Sequence, residues 1–128
     1  MTAKKREAKT VLVVEDEAML NEAYQVILKT AGYEVSSAFD GEQALLAVRE
    51  KTPDLILLDL RMPVLDGIGF LEAYRPLELD NPPKIVVFSN FDMQKEIDQA
   101  YSLGADKYML KAWASPKELI QLAGNLLK

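Results

Sequence analysis

Short apolar runs and segments with helical periodicity alternate five times along this chain, from residue 10 to its end. The apolar runs are residues 11–14, 33–38, 55–58, 85–88 and 108–110. Four of them are not interrupted by polar residues, which is typical of strands that are buried on both faces of a parallel sheet. The run at 33–38 is weaker. This alternation predicts strands that follow helices in strict order.

Each run is followed by a segment in which apolar residues recur with helical spacing. In the first segment, residues 20–31 keep this spacing until Gly32, which is predicted to end the helix. The other helical segments contain Ala44, Leu45 and Val48; Phe70, Leu71 and Tyr74; Ile97, Ala100 and Tyr101; and Leu119, Ile120, Ala123 and Leu127. Ser115 is the predicted N-cap of the last helix, with Pro116 as its first residue.

Five strands that alternate with five helices predict a three-layer α/β domain with one parallel sheet. Right-handed crossovers then place the carboxyl ends of all the strands at one edge of the sheet. Ligands bind at this edge in open α/β folds. Functional residues are therefore expected directly after the apolar runs.

Composition excludes several classes of function. The 128 residues are enough for one domain, and they include no cysteine and no histidine. Thiol catalysis, disulfide bonds and histidine-based acid–base chemistry are therefore excluded, and a zinc site is not expected. No apolar stretch approaches the roughly 20 residues of a membrane span. A cytoplasmic protein without a membrane segment is predicted.

The net charge of −5 argues against general affinity for nucleic acid. Basic residues cluster only at the N-terminus, at Lys4, Lys5, Arg6 and Lys9. Such an arm could contact nucleic acid or a membrane, but it contains Glu7 and no interleaved aromatic residue. Residues 1–9 are therefore interpreted as a disordered basic tail.

Polar residues follow four of the five predicted strands at the point where each strand ends. They are Glu15, Asp16, Asp59, Ser89 and Lys111. Two carboxylates about 4 Å apart repel by roughly 4 kcal/mol at an effective dielectric near 20. Three clustered carboxylates are therefore expected to hold a cation, and hard oxygen ligands suit Mg²⁺.

Each of these residues also has an ordinary structural interpretation. Asp16 could be the N-cap of the first helix, Ser89 could cap the helix after the fourth strand, and Lys111 could be a surface lysine. Their joint occurrence at strand ends favours a functional site.

The predicted chemistry is transfer of a phosphoryl group to Asp59, which would attack as a nucleophile and form an acyl phosphate. Mg²⁺ would be held by Glu15, Asp16 and Asp59, with the backbone near Met62 as a further ligand. Lys111 and the Ser89 hydroxyl would bind the phosphoryl oxygens. The three catalytic residues are thus Asp59, Lys111 and Ser89, and no other cofactor is predicted.

With these residues in place, the chain resembles the response-regulator receiver domains of bacterial two-component signalling. The resemblance covers residues 10–128. It is carried by Val13-Val14-Glu15-Asp16-Glu17, Asp59-Leu-Arg-Met62-Pro63-Val-Leu-Asp66-Gly67, Phe88-Ser89 and Gly104-Ala-Asp-Lys-Tyr108-Met-Leu-Lys111. It implies a doubly wound sheet of five parallel strands in the flavodoxin-like order 2-1-3-4-5. It also implies that Asp59 is the phosphoacceptor and that Ser89 and Tyr108 are the switch pair.

The resemblance further implies the partners. A histidine kinase or histidine phosphotransfer protein would supply the phosphoryl group, and a downstream protein would recognise the fourth helix, fifth strand and fifth helix. The chain would be a stand-alone regulatory domain, not an enzyme, and a monomer or a phosphorylation-dependent dimer. No direct nucleic-acid contact is expected.

Two residues depart from the family pattern. Ala112 follows Lys111 where the family usually has proline, so a trans peptide bond is predicted at this position. Asn90 replaces the usual Ala or Gly after Ser89 and is expected to alter phosphorylation or dephosphorylation rates. Asp66 is predicted to cap the third helix, and Gly67 is predicted to allow unusual backbone angles.

Two alternatives remain open at this stage. The first is a receiver-like interaction module that works without phosphorylation, which the Ala112 departure supports. The second is an enzyme or flavin protein of similar fold. The acidic loop after the first strand would repel a flavin phosphate, and Arg61 occupies the position where a haloacid-dehalogenase-type phosphatase needs a second aspartate.

Overall fold

In this computed structural model, which describes residues 8–90 and 92–128, strands and helices alternate in strict order. The strands are β1 (Thr10–Val14), β2 (Glu34–Ala38), β3 (Leu55–Asp59), β4 (Lys84–Ser89) and β5 (Lys107–Leu110). The helices are α1 (Ala18–Thr30), α2 (Gly41–Glu50), α3 (Gly67–Tyr74), α4 (Gln94–Ser102) and α5 (Pro116–Leu126). Short 3₁₀ turns at Pro76–Glu78 and Lys111–Trp113 complete the order.

All five strands are parallel and lie in the order β2-β1-β3-β4-β5. The predicted fold class and strand order are confirmed. Because β1 and β3 are neighbours, with Val14 paired to Leu58, the residues after these two strands meet at one edge. β5 pairs with β4 alone and forms an edge of the sheet.

Alternate residues of the strands point into two separate cores. On β1, Leu12 and Val14 contribute to the core beneath α2, α3 and α4, whereas Val11 and Val13 contribute to the core beneath α1 and α5. β1, β3 and β4 are therefore buried on both faces, as their uninterrupted runs predicted. For β5 this prediction is wrong, because it is an edge strand in which Lys107 and Tyr108 are exposed. The predicted three-layer arrangement is confirmed.

Helix ends follow the predicted signals in most places. Gly32 follows the end of α1 with φ +100°, and Ser115 Oγ accepts a hydrogen bond from the Glu118 N–H at 3.2 Å. The capping interpretation of Ser89 is wrong, because Met93 is the N-cap of α4 and makes no side-chain hydrogen bond there. The capping interpretation of Asp16 is also wrong, since Glu17 precedes α1 and likewise makes no side-chain cap.

Asp66 caps α3 as predicted, with its Oδ1 accepting from the Gly69 N–H at 2.8 Å. The reason given for Gly67 is wrong, because its φ is not positive. A Cβ at Gly67 would lie 2.6 Å from the Asp59 carbonyl oxygen and 2.8 Å from the Leu60 Cα. Glycine is required here because α3 begins directly against the end of β3.

The N-terminal tail prediction falls mostly on residues 1–7, which lie outside the described part of the chain. No helix in the described part is long and apolar enough to cross a membrane.

Candidate functional site

The end of β3 and the loop after β1 bring three carboxylates together. One oxygen from each of Glu15, Asp16 and Asp59 lies within 4.8 Å of the others. Glu15 and Asp59 are 1% and 3% exposed, whereas Asp16 is exposed to solvent. The predicted acidic cluster therefore exists, with two buried members and one that faces the solvent.

Lys111 reaches this cluster from the turn that follows β5. Its Nζ lies 3.0 Å from Glu15 Oε1 and 3.0 Å from Asp59 Oδ2. The Lys111–Ala112 peptide is trans, as predicted, since no cis peptide occurs among the described residues. Replacement of the usual proline by Ala112 has therefore not turned the ammonium away from Asp59.

The buried carboxyl groups of Glu15 and Asp59 have shifted pKa values. Burial is the largest cause that raises the pKa of Glu15 to about 7, and the charge of Asp59 adds to it; the Glu17 N–H and Lys111 oppose the shift. Burial also raises the pKa of Asp59, opposed mainly by Lys111 and the Arg61 N–H. One ammonium thus compensates two buried acids only in part.

The pKa of Lys111 responds to the same arrangement. Its own burial lowers this pKa, but the hydrogen bonds to Asp59 and Glu15 outweigh burial and raise it above the ordinary value. Lys111 therefore remains charged and is available to a second anion that enters the site.

Ser89 is the last residue of β4 and follows Phe88, which pairs with Asp59. Its Oγ is buried and makes no hydrogen bond to any described residue. Glu15 Oε1 is paired with Lys111 Nζ at 3.0 Å and accepts no hydrogen bond from any other described residue. A buried hydroxyl group without a partner is costly, so Ser89 Oγ points to a ligand at this edge.

The loop between β3 and α3 covers one side of the site. The Arg61 N–H donates to Asp59 Oδ1 at 3.3 Å, and the partly buried Met62 side chain packs on the core beneath α2–α4. Val64 has φ +69°, and the Leu65 N–H donates to the Pro63 carbonyl at 2.8 Å, which closes a strained γ-turn. The role of Met62 as a backbone ligand stays a prediction.

Tyr108 lies away from the carboxylates, on the exposed edge strand. It is 44% exposed, and its ring meets Tyr101 of α4 edge to face, with ring centroids 6.5 Å apart. Asn90 is exposed, and its N–H contacts Met93 Sδ at 3.3 Å. The predicted roles of Tyr108 and Asn90 stay predictions.

The sequence analysis missed Asn21, a fully buried residue of α1. Its Nδ2 donates to the Glu15 carbonyl at 2.9 Å and to the Ala38 carbonyl at 3.1 Å. The available signal was a polar residue on the helical stripe that continues at Tyr24 and Leu28.

Solved structures of similar fold include signalling domains. The chemotaxis protein CheY4 of Vibrio cholerae is 26% identical, with a TM-score of 0.85, and 94% of this chain covers 100% of that one. A response regulator signal receiver domain from Bermanella marisrubri is 31% identical, with a TM-score of 0.84, and 95% of this chain covers 100% of that one.

The family follows from the sequence match. The model of the response regulator receiver domain matches residues 11–123, and the chain belongs to this family. It is a family of regulatory domains in phosphorylation-based two-component signalling, whose members bind Mg²⁺ at an acidic pocket and interact with histidine kinases and output partners.

Curated relatives are longer than this chain. The DNA-binding response regulator MtrA of Mycobacterium tuberculosis is 38% identical over 110 residues, which are 86% of this chain and 46% of MtrA. The probable transcriptional regulator ycf27 of Porphyridium aerugineum is 39% identical over 109 residues, 85% of this chain and 44% of that protein. The DNA-binding name of MtrA is in tension with the predicted absence of nucleic-acid contact, which stays a prediction.

Proposed function

We propose that Asp59 accepts a phosphoryl group from a histidine kinase or a histidine phosphotransfer protein in a Mg²⁺-dependent reaction. The observation that carries the proposal is the contact of Lys111 Nζ with both Asp59 and Glu15 at 3.0 Å, beside three clustered carboxylates. Glu15, Asp16 and Asp59 would hold the ion, with the backbone near Met62. The burial of Glu15 and Asp59 with a single ammonium between them fits this role, since two buried acids share one positive charge.

The ion, when bound, neutralises charge on the carboxylates and the incoming phosphoryl oxygens. A carboxylate oxygen of Asp59 attacks the phosphorus atom, and an oxygen–phosphorus bond forms. The phosphorus–nitrogen bond to the donor imidazole breaks, and its electron pair returns to the nitrogen. Lys111 then binds one phosphoryl oxygen, and the unpartnered Ser89 hydroxyl donates to another. Positioning and charge neutralisation supply most of the acceleration.

The proposed output is a change in the surface formed by α4, β5 and α5. Engagement of Ser89 by the phosphoryl group draws the end of β4 toward Asp59 and leaves room for Tyr108 to turn inward from its exposed position. A partner protein reads the altered surface. The contact between Lys111 and Asp59 weakens the argument for a phosphorylation-independent module, because that argument depended on a misdirected lysine.

The test is phosphorylation by acetyl phosphate with Mg²⁺, followed by intact-mass spectrometry. We expect the wild-type protein to gain the mass of one phosphoryl group and Asp59→Asn to gain none. Asp66→Asn is the matched control, since it changes an acid in the same loop but keeps a side-chain cap for α3. A wild-type protein that stays unmodified, or an Asp59→Asn variant labelled equally, contradicts the proposal.

Mg²⁺ affinity is expected to depend on pH near neutrality. Because the Glu15 carboxyl has a pKa of about 7, the ion must displace a proton below this pH. Affinity should fall about tenfold per pH unit below 7 and become nearly constant above it. Mg²⁺ titrations followed by amide NMR signals measure how the affinity depends on pH. They should run from roughly pH 5.5 to roughly pH 8, on both sides of the Glu15 pKa. Glu15→Gln should bind more weakly and lose this pH dependence.

The raised pKa of Glu15 also determines whether the free energy of unfolding of the metal-free protein rises or falls with pH. The folded pKa of Glu15, about 7, is above the ordinary value of 4.5, so the folded state binds more protons between these two pH values. The free energy of unfolding should therefore decrease as the pH rises through this window. A metal-free protein whose stability increases there, with Glu15→Gln unchanged in slope, contradicts the assignment.

A further inference from the structure

Asn21 is a polar residue on the buried face of a helix. Asn21, Tyr24 and Leu28 are the buried residues of α1, and Asn21 is 0% exposed. A buried carboxamide is costly unless its hydrogen bonds are made. Its presence among apolar neighbours therefore calls for a specific set of partners.

The partners of Asn21 are backbone groups at the edge that carries the carboxylates. Both hydrogens of Nδ2 are used, one on the Glu15 carbonyl at 2.9 Å and one on the Ala38 carbonyl at 3.1 Å. Oδ1 accepts from Gln25 Nε2 at 2.7 Å, which fixes the orientation of the carboxamide. Asn21 thus joins α1, the end of β2 and the loop after β1.

This connection fixes the peptide that joins the two neighbouring acids. The Glu15 N–H donates to the Ala38 carbonyl at 3.1 Å, and the Glu15 carbonyl accepts from Asn21. Both backbone groups of Glu15 are therefore held, and the peptide plane from Glu15 to Asp16 has one orientation. Asp16 is exposed and lies beyond the strand, so its direction toward the carboxylate cluster depends on that plane.

We propose that Asn21 is a positioning residue for the metal site: it touches no ion, but it orients the Glu15–Asp16 peptide so that both carboxylates converge with Asp59. The proposal rests on the proposed Mg²⁺-dependent function. Residues that orient ligands from behind typically change metal affinity by about ten- to hundredfold when removed.

The test compares Mg²⁺ affinity with stability in variants of α1. Asn21→Leu keeps a similar volume on the buried stripe but donates no hydrogen bond, and Asn21→Ala removes the side chain. Leu28→Ala is the matched control, since Leu28 is equally buried on the same helix but makes its contacts in the apolar core beneath α1 and α5. Affinity is measured from the amide NMR shifts of residues 15–17 during Mg²⁺ titration, and stability from urea unfolding.

We expect both Asn21 variants to bind Mg²⁺ at least about tenfold more weakly, whereas Leu28→Ala loses stability but binds like the wild type. Wild-type affinity in Asn21→Leu would overturn the inference. If the Asn21 variants do not fold, Gln25→Ala decides, because it removes only the bond that orients the carboxamide; unchanged affinity there would also overturn it. A wild-type protein without any Mg²⁺ response would instead show that the proposed function itself is wrong.

Discussion

Gly67→Ala is expected to be among the most destabilising single-methyl additions in this domain. The new Cβ would lie 2.6 Å from the Asp59 carbonyl oxygen and 2.8 Å from the Leu60 Cα, and neither backbone atom can move without disturbing β3. Overpacking of this kind typically costs about 1–3 kcal/mol, and we expect a value near the upper end, about 3 kcal/mol, because both contacts are with backbone. Urea unfolding measures the loss.

Gly67→Ala should also impair phosphoryl uptake, because the added methyl group would displace the backbone of Asp59, the proposed phosphoacceptor. Gly124→Ala is the matched control: Gly124 lies in α5, and a Cβ there would meet nothing within 4 Å. It should stabilise the helix by about 0.5–1 kcal/mol and leave uptake unchanged. Equal stability of the Gly67 and Gly124 variants would contradict the close approach of α3 to β3.

Lys111→Met is expected to destabilise the protein, because the two buried acids then repel each other without a compensating positive charge. Glu15 and Asp59 would keep their burial but lose the ammonium that lies 3.0 Å from each. Removing one partner of a fully buried ion pair costs about 3–5 kcal/mol. The side chain of Lys111 is 23% exposed, so we expect a smaller loss of about 2–3 kcal/mol at neutral pH without metal.

Two comparisons isolate the electrostatic cause of this loss. The double variant Lys111→Met with Asp59→Asn should recover most of the lost stability, because only one buried acid then remains. Lys107→Met changes an exposed lysine of β5, the strand that precedes Lys111, and should alter stability by less than about 0.5 kcal/mol. If the double variant is no more stable than Lys111→Met, the repulsion between the acids does not explain the effect.

Much of the fold was predictable because the apolar runs of the three central strands, β1, β3 and β4, are buried on both faces. Val11 and Val13 face one core and Leu12 and Val14 face the other, so residues 11–14 include no polar residue and could be recognised as a central strand. β2 at the sheet's edge has a weaker pattern, and it begins at Glu34, not at Tyr33 as the run predicted. Edge strands tolerate polar residues, which blurs their ends.

The convergence of Glu15, Asp16, Asp59 and Lys111 was predictable from topology, since strand ends in a parallel sheet share one edge. The residues that support this site, Asn21 and Gly67, could not be predicted from the sequence. Asn21 donates to backbone carbonyls, and every residue has a backbone carbonyl, so the sequence does not show which ones it binds. Gly67 is required by a close approach between α3 and β3 that only the packed structure reveals.

Asp59 ends β3 and Glu15 directly follows β1, and both strands have a neighbour on each side, whereas Lys111 follows a strand that has only one. The buried acids are therefore attached to strands that are hydrogen-bonded on both sides, and the lysine to a strand that is hydrogen-bonded on one side. If Asp59 gains charge, we expect β5 to move more than β1 and β3, because it has fewer hydrogen-bonded neighbours. The strand order alone thus favours the edge strand as the part of the sheet that responds to a change of charge at the site.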